Sequence, residues 1–376
     1  MSEDEMRYGF GKNWAEFIEK RFSEQIIEDS KRHLARVLRR DSLKGMSFLD
    51  IGCGSGLHSI AALRLGADSV YAFDYDKDSV ATAKKIREMT GGHANWYIEQ
   101  GSVLDADYMA RLPKSDIVYS WGVLHHTGSM WESVRNAGIP MKPTSDFYIA
   151  LYSSDNYVDP TPEYWIALKR EYNLAGALKK RLMEWQYAWR FHIGPELKAG
   201  RNPLQIIRNY GDRGMTYWTD VKDWLGGYPM EFASLQETQD FCRKELGLDL
   251  VNVKTGEGCT EYVFCNLAQN AHWNAVEKAR VRKPLGGPFV HQGGAGYAVV
   301  REDLQSWSNA NEAPRRSGMM IYEDGKMLGL AHSLVDHMVR FGHGRFNHWG
   351  PNVYLSAIDN SDPNTNGRSY SYCEDY

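Results

Sequence analysis

The stretch FLDIGCGSGLHS, residues 48–59, has the composition of a loop that brings its backbone close to a ligand. Three glycines alternate along it: Gly52, Gly54 and Gly56. A dinucleotide-binding loop would need a further glycine at Leu57 or Ser59, so its spacing fails in both frames. Asp50, at the end of the apolar run, would also repel a pyrophosphate on the following helix. The loop therefore favours a ligand that carries positive charge and no phosphate.

A histidine pair, His125 and His126, follows the apolar run DIVYSWGVL. A metal site is disfavoured because no carboxylate or cysteine stands at ligand spacing beside the pair. A neutral imidazole, with an ordinary pKa of about 6.5, could accept the proton that leaves an oxygen or nitrogen during group transfer. Alternatively, both imidazoles only bond to the backbone of their own loop. The residues leave these last two interpretations open.

A second segment with functional character is RGMTYWTDVKDWLGGYPMEFAS, residues 213–234. It concentrates four large aromatic residues: Tyr217, Trp218, Trp224 and Tyr228. Asp220 and Asp223 lie among them, and Gly226-Gly227 offers a hinge. Such aromatic faces with interspersed carboxylates suit a polyhydroxylated, cationic or ring-bearing acceptor. The alternative is a buried helix pair that stabilises its own segment.

The elements that must position these residues alternate between strand and helix from residue 47 to about 152. This alternation predicts a parallel sheet with helices on both faces. An amphipathic helix over residues 13–40 precedes it, and a helical insertion rich in Trp and Tyr spans about 160–235. Two strands, DLVNVKT and TEYVFCNLA, then close the sheet. From Gly286 onward, short alternating strands and turn residues predict a separate β-rich domain.

Four motifs in this order resemble those of class I S-adenosylmethionine-dependent methyltransferases: FLDIGCGSG, SVYAFDYD, GSVLD and DIVYSWGVLHHT. The resemblance covers about residues 46–268. It implies a Rossmann-like fold, S-adenosylmethionine as methyl donor and S-adenosylhomocysteine as product. The α-ammonium and sulfonium of that donor are positive, which agrees with the acidic strand end.

The resemblance also implies roles for individual residues on the donor side. Asp50 and the glycine loop would hold the amino-acid end, Asp74 the ribose hydroxyls, and Tyr75 the adenine face. Two residues would border the adenine edge: Ser102 and Val103. Ser102 stands where many members carry Asp, and Asp105 is an alternative partner for the adenine amino group. Three residues would line the sulfonium end: Ser120, Trp121 and Gly122.

On the acceptor side, His126 aligns with a histidine of quinone-type O-methyltransferases, which implies a general base there, with His125 as the alternative. Segments inserted after the fifth strand commonly form a substrate cap in the family, so acceptor recognition is assigned to the aromatic segment 213–234. An N-terminal segment often closes the site as a lid. That role would fall on RYGFGKNW, with Tyr8, Phe10, Asn13 and Trp14.

Composition narrows the classes of partner. The net charge of −4 gives no electrostatic reason to expect nucleic acid as a partner. No apolar run approaches the roughly 18 residues of a membrane span, and MSEDEMRYGF lacks the layout of a signal peptide. We therefore expect a cytoplasmic protein without a membrane partner. The five cysteines form no CxxC pair, so neither a disulfide framework nor a zinc site is expected.

Together these observations predict an α/β protein with a Rossmann-like methyltransferase sheet, a helical cap and a smaller β-rich C-terminal domain. The predicted bounds are 1–45 for the lid, 46–270 for the methyltransferase domain and 280–376 for the C-terminal domain. The expected activity is methyl transfer to an oxygen or nitrogen of a small molecule, a sugar-containing or specialised metabolite. The competing hypothesis is a non-catalytic protein that keeps the donor pocket and binds a glycan or partner through its C-terminal domain. That domain could also join copies of the chain in a homo-oligomer.

Overall fold

The computed structural model describes residues 22–203, 207, 217–255, 258–309 and 317–374. The first 21 residues of the predicted N-terminal lid lie outside this part of the chain, among them Tyr8, Phe10, Asn13 and Trp14. The described part contains helix α1 (Glu24–Leu38), whose apolar side buries Ile27, Leu34 and Leu38. Arg39 ends this helix in the left-handed conformation, with φ 55°.

Strands and helices then alternate as the sequence predicts, and their bounds are as follows. They are β1 (Ser47–Ile51), α2 (Leu57–Arg64), β2 (Ser69–Asp74), α3 (Lys77–Met89), β3 (Trp96–Gln100), α4 (Ala106–Arg111), β4 (Ser115–Trp121), a 3₁₀ turn (Leu124–His126), α5 (Met130–Ala137) and β5 (Met141–Tyr152). Side-chain caps begin two of the helices: Asp76 accepts the N–H of Asp78 at the start of α3, and Asp105 accepts that of Tyr108 in α4.

Two further strands, β6 (Asp249–Lys254) and β7 (Cys259–Cys265), complete a seven-stranded sheet of order β3-β2-β1-β4-β5-β7-β6. The first five are parallel, and β7 runs antiparallel to both of its neighbours. Helices cover both faces of such a sheet, which explains why the central strands are apolar on both sides. The carboxyl ends of the parallel strands share one edge, so the loops after β1, β2, β4 and β5 meet there. The predicted fold class is confirmed.

The insertion after β5 consists of helices joined by irregular segments. It contains α6 (Pro162–Leu174), α7 (Ala177–Ala188), a π-helical turn (Trp189–Ile193), α8 (Gly194–Lys198) and α9 (Tyr217–Gly226). A small core of its own holds the helices together, formed by Tyr172, Met183, Ala188, Tyr217, Val221 and Leu225. Its two ends lie side by side, because Ser153 and Ala233 form a parallel bridge. Helix α10 (Leu235–Leu246) follows and leads into β6.

The C-terminal part begins with α11 (Ala271–Ala279) and then becomes rich in short strands. These are β8 (Lys283–Pro284), β9 (Val290–Gly293), β10 (Gly296–Val300), β11 (Met319–Glu323), β12 (Lys326–Met327), β13 (Phe346–Trp349), β14 (Asn352–Leu355) and β15 (Tyr370–Glu374), with α12 (Val335–Phe341) before β13. They form two antiparallel sheets of order β13-β14-β10-β9 and β12-β11-β15-β8. Both sheets supply one core, in which Val299, Ile321, Val353 and Tyr372 are buried.

The chain divides into two compact units. The first takes the described residues up to Ala233 together with Phe241–Lys254 and Cys259–Gln269. The second comprises Ser234–Asp240, the described residues Thr255 and Gly258, and the chain from Asn270 onward. In the described residues, no helix combines the length and the hydropathy that crossing a bilayer requires.

Candidate active site

The glycine loop leaves β1 and turns through three left-handed residues, with φ of 71° at Gly52, 53° at Gly54 and 79° at Gly56. The N–H groups of Gly52 and Cys53 donate to the Phe73 carbonyl at 2.8 and 3.0 Å, which anchors the loop to the end of β2. A Cβ on Gly52 would lie 2.4 Å from Cγ1 of Val123. Only glycine satisfies both the conformation and the space at this position.

Two carboxyl groups flank the loop. Asp50 is 2% exposed and accepts the Ser59 hydroxyl at 2.6 Å, which joins the end of β1 to the start of α2. Asp74 accepts the N–H groups of Gly54 at 2.9 Å and Asp76 at 2.8 Å. Burial raises the pKa of Asp50 to about 7 and that of Asp74 to about 6. A positively charged group beside either side chain would favour its ionised form.

The residues assigned to the adenine follow β2 and β3. Tyr75 is 57% exposed, and its carbonyl accepts the Gln100 amide at 2.9 Å. Val103 is buried and accepts from Asn136, while the Ser102 hydroxyl accepts the N–H of Leu104. The structure thus brings an exposed ring and a buried apolar wall to the end of β2 and β3. Asp105, the alternative adenine partner, serves as the cap of α4.

The end of β4 lies beside the glycine loop. The buried Ser120 hydroxyl donates to the Ile51 carbonyl at 3.0 Å, tying β4 to β1. Gly122 turns the chain with φ 73°, and its N–H donates to Ala150. Trp121 stays 36% exposed. The three residues predicted for the sulfonium end therefore stand next to the loop that would hold the amino-acid end of the donor.

His58 lies beside the candidate site, although the sequence patterns assigned it no role. It lies in the first turn of α2, with its ring 5.0 Å from Tyr119 and 6.3 Å from Trp121. Burial and the nearby His33 lower the pKa of His58 to about 4, so the imidazole is neutral at physiological pH. The available signal was its position two residues after Gly56, because a residue so close to the glycine loop lies near the groups that the loop positions.

A polar network lies close to His58 on the same face of the sheet. The Glu261 carboxylate accepts from His33 at 2.7 Å, from Lys254 at 2.9 Å and from the Tyr148 hydroxyl. Burial by itself would raise the pKa of Glu261, but these partners, His33 first, lower it to about 2. The network therefore keeps the Glu261 carboxylate ionised and paired with the Lys254 ammonium.

The two histidines have different surroundings. His125 is 1% exposed, and neither of its ring nitrogens has a hydrogen-bond partner among the described residues. Burial, followed by the neighbouring His126 and Lys169, lowers the pKa of His125 well below its usual range. His126 Nδ1 lies 2.7 Å from the Pro229 carbonyl. Because a carbonyl only accepts, Nδ1 carries the proton and Nε2 carries the basic lone pair.

Four aromatic residues pack against one another next to the histidine turn, which Tyr152 contacts, and we call them the aromatic cluster: Tyr152, Tyr157, Trp224 and Phe232. The Tyr152 ring lies 4.1 Å from that of His125 and 5.4 Å from that of His126. The buried Lys169 ammonium lies over the Trp224 ring at 4.0 Å and donates to the Trp224 carbonyl. This arrangement makes an apolar, cation-bearing wall beside the candidate base.

The aromatic residues predicted to bind the acceptor do not all reach this wall. Trp224 does, and Tyr228 is buried one residue before Pro229. Tyr217 is buried in the core of the insertion and pairs with His192 at 2.9 Å, while Trp218 packs on Trp185. These two rings stabilise the insertion. Among the described residues, no three His, Cys, Asp or Glu side chains are arranged to hold a metal ion.

The comparisons with known proteins point to the donor half of this site. The family model of ribosomal protein L11 methyltransferase (PrmA) matches residues 33–119. The ribosomal protein L11 methyltransferase of Brevibacillus brevis is 33% identical over 104 residues, 24% of this chain and 33% of the relative. That of Acinetobacter baumannii is 35% identical over 127 residues, 34% of this chain and 40% of the relative. The chain thus spans about a third of the length of such relatives.

Among solved structures, PKMT2 from Rickettsia typhi in complex with AdoHcy is similar with a TM-score of 0.46 and 13% identity, over 69% of this chain and 58% of that one. An O-methyltransferase family protein from Burkholderia thailandensis gives a TM-score of 0.41 and 13% identity, over 65% and 55%. The sheet order β3-β2-β1-β4-β5-β7-β6, with β7 antiparallel, is that of the class I methyltransferase fold.

Proposed function

We propose that the protein transfers a methyl group from S-adenosylmethionine to an oxygen or nitrogen of a small molecule, with sugar-containing or ring-bearing metabolites as the acceptor class. The observation that carries this proposal is the position of the histidine turn and the aromatic cluster, directly after the strand ends that flank the glycine loop. A donor seated in the loop and an acceptor seated on the cluster would meet at Trp121.

The residues fit this donor. The glycine loop lets the backbone approach, Asp50 suits the α-ammonium, and Asp74 retains carboxylate lone pairs for hydroxyl groups. When bound, the donor supplies an electrophilic methyl group. An acceptor lone pair attacks that methyl carbon, the carbon–sulfur bond breaks, and its electron pair stays on sulfur, which leaves neutral S-adenosylhomocysteine.

In this proposal His126 is the general base. Its Nδ1 is held by the Pro229 carbonyl, so Nε2 is the atom that takes the acceptor proton. His125, walled by Tyr152, would position the acceptor. The aromatic cluster would exclude water and orient a ring, which favours transfer because reacting atoms held in line react faster.

A second candidate acceptor is the amine of a protein side chain. The matched family, named for methylation of ribosomal protein L11, favours it. The match ends at residue 119, before the turn Leu124–His126 and the insertion, so it bears on the donor half of the site. For this reason we place the small-molecule acceptor first.

The test uses S-adenosylmethionine with a trideuterated methyl group. The full-length protein is incubated with small-molecule and glycan fractions of cells, and separately with ribosomal proteins, and labelled products are sought by mass spectrometry beside an Asp50→Asn control. A labelled metabolite seen only with the wild type supports the proposal. A label on protein lysine would replace it with the second candidate. Donor binding without any transfer would favour the alternative, a non-catalytic protein whose β-rich domain binds a glycan or partner. We propose that this domain comprises residues 280–376.

A further inference from the structure

Helix α7 carries an exposed apolar stripe. Four large side chains lie along it and into the π-helical turn, with exposed fractions of 88% at Leu178, 58% at Leu182, 57% at Trp185 and 61% at Trp189. Their spacing of four, three and four residues places them within an arc of about 60°. Tyr187 and Met183, which join the core of the insertion, lie on the opposite side of the same helix. Trp185 also contacts the Trp218 ring at 4.7 Å but keeps more than half of its surface exposed, so the stripe as a whole faces away from the buried core.

The helix is also basic where the whole chain is acidic. From Ala177 to Arg201 there are six basic side chains and two acidic ones, in a protein of net charge −4. The basic residues are Lys179, Lys180, Arg181, Arg190, Lys198 and Arg201. Both acidic residues are already bonded: Glu184 accepts the Tyr172 hydroxyl at 2.7 Å, and Glu196 pairs with Arg201 at 2.5 Å. Of the basic group, Lys179 pairs with Glu171 at 2.8 Å.

We propose that this stripe docks the protein on the surface of an anionic lipid bilayer. Leucine and tryptophan on one side of a helix, flanked by Lys and Arg, is the arrangement of helices that lie in the plane of a membrane interface. The indole ring suits the headgroup boundary, and basic side chains reach anionic phosphates while their stems cover apolar surface. Docking of this kind needs no membrane-spanning helix.

The charge argues against a second copy of the chain on this face. A two-fold dimer sets the same patch against itself, so the basic side chains of one copy, Arg181 and Arg190 among them, would face those of the other copy. Like charges brought together without counter-charges oppose such association. An anionic surface offers apolar and electrostatic complementarity at once. This proposal is independent of the methyl-transfer proposal.

The experiment is co-sedimentation of the full chain with vesicles of phosphatidylcholine alone and of phosphatidylcholine mixed with phosphatidylglycerol. We expect binding to the mixed vesicles, weakened by added salt because the attraction to anionic lipid is screened. Arg181→Glu should weaken the binding at least about fivefold, since each basic side chain near the surface contributes about that factor. Leu182→Lys adds a cation and removes an apolar contact; we expect the lost apolar contact to dominate, so binding should weaken as well.

The matched control is Leu334→Lys, which changes an equally exposed leucine, 59% exposed, in the second unit and should bind as the wild type does. Since all three positions are exposed, circular dichroism should show unchanged folding. Wild-type protein that stays in the supernatant with both vesicle types would overturn the proposal. In that case dimer mass in sedimentation velocity would assign the face to a second copy, and monomer mass to an acidic protein partner. Undiminished binding by Leu182→Lys would equally overturn it.

Discussion

The proposed donor side and acceptor side of the site differ in the groups that form them, backbone on one side and side chains on the other. The donor side consists of backbone: three left-handed glycines, N–H groups on the Phe73 carbonyl, and carboxyl groups held by the loop. The acceptor side consists of side chains that meet from the ends of β4 and β5 and from the insertion. A loop formed by neighbouring residues can be identified from a short run of sequence. A surface formed by side chains from distant parts of the chain cannot.

The largest expected effect breaks the donor side. In Gly52→Ala, the new Cβ meets Val123 and the residue must hold φ 71°, so we expect a loss of roughly 2–5 kcal/mol in stability and of measurable donor binding. Denaturant unfolding and calorimetric titration with S-adenosylhomocysteine measure both. Gly92→Ala is the control: it has a similar φ of 68° with open space around it, and should keep donor affinity. Equal effects of the two substitutions would refute the role of close packing.

The next prediction separates the two histidines. His126→Phe removes the proposed base and should lower the rate of methyl transfer about 10²–10⁴-fold, with donor affinity unchanged. It also loses the bond to Pro229, at a cost of about 1 kcal/mol. His125→Phe replaces two unpartnered nitrogens with an apolar ring and should leave stability nearly unchanged. Single-turnover rates of both variants decide: if His125→Phe alone abolishes transfer, the roles are reversed.

A smaller effect is expected for Asp50→Asn. Losing the charge that faces the donor ammonium should weaken donor binding about 10–100-fold and leave the fold intact, because the amide can still accept from Ser59. Titration calorimetry measures the affinity. Asp68→Asn, at a carboxylate that accepts from Gly45, serves as the control and should behave as the wild type. Unchanged affinity in Asp50→Asn would remove Asp50 from the donor site.

The last prediction is a pH dependence of opposite sign for binding and stability. The raised pKa values, about 7 for Asp50 and about 6 for Asp74, mean that the folded protein holds protons that the unfolded chain has released. Without donor, stability should therefore fall as pH rises from about 4 to 7. Affinity for the cationic donor should rise over pH 6–8, because the ionised carboxyl binds it. Asp50→Asn should flatten most of both slopes; a wild type with no slope would contradict the assignment.

The sequence predicted the strands and turns of the proposed donor half because their signals are local. The positions of Gly52, Asp50 and Asp74 relative to their strands follow from apolar runs that end at one sheet edge. The seven-stranded sheet and the β-rich C-terminal part follow from periodicity in the same way. These features depend on neighbours in sequence.

The acceptor half was predicted less completely because it depends on contacts across the chain. The aromatic segment suggested Tyr217 and Trp218, yet both serve the core of the insertion. In the sequence, Tyr152 ends a predicted strand and Tyr157 lies in the loop that follows. Their contacts with Trp224 arise only when the chain folds. His58 was overlooked because its partners, Tyr119 and Trp121, are about sixty residues away.

The bridge between Ser153 and Ala233 has a consequence for how such an enzyme can change. The N–H of Ser154 donates to Ala233, and that of Ala233 donates to Tyr152, so the insertion departs and returns at one point of the scaffold. The segment between these two residues is therefore a single insertion, whose start and end lie side by side on the sheet. A parallel connection needs only about a dozen residues. A different segment joined at Ser153 and Ala233 would leave the sheet and the glycine loop in place and change the acceptor wall, but it would have to supply again the carbonyl of Pro229 that holds His126.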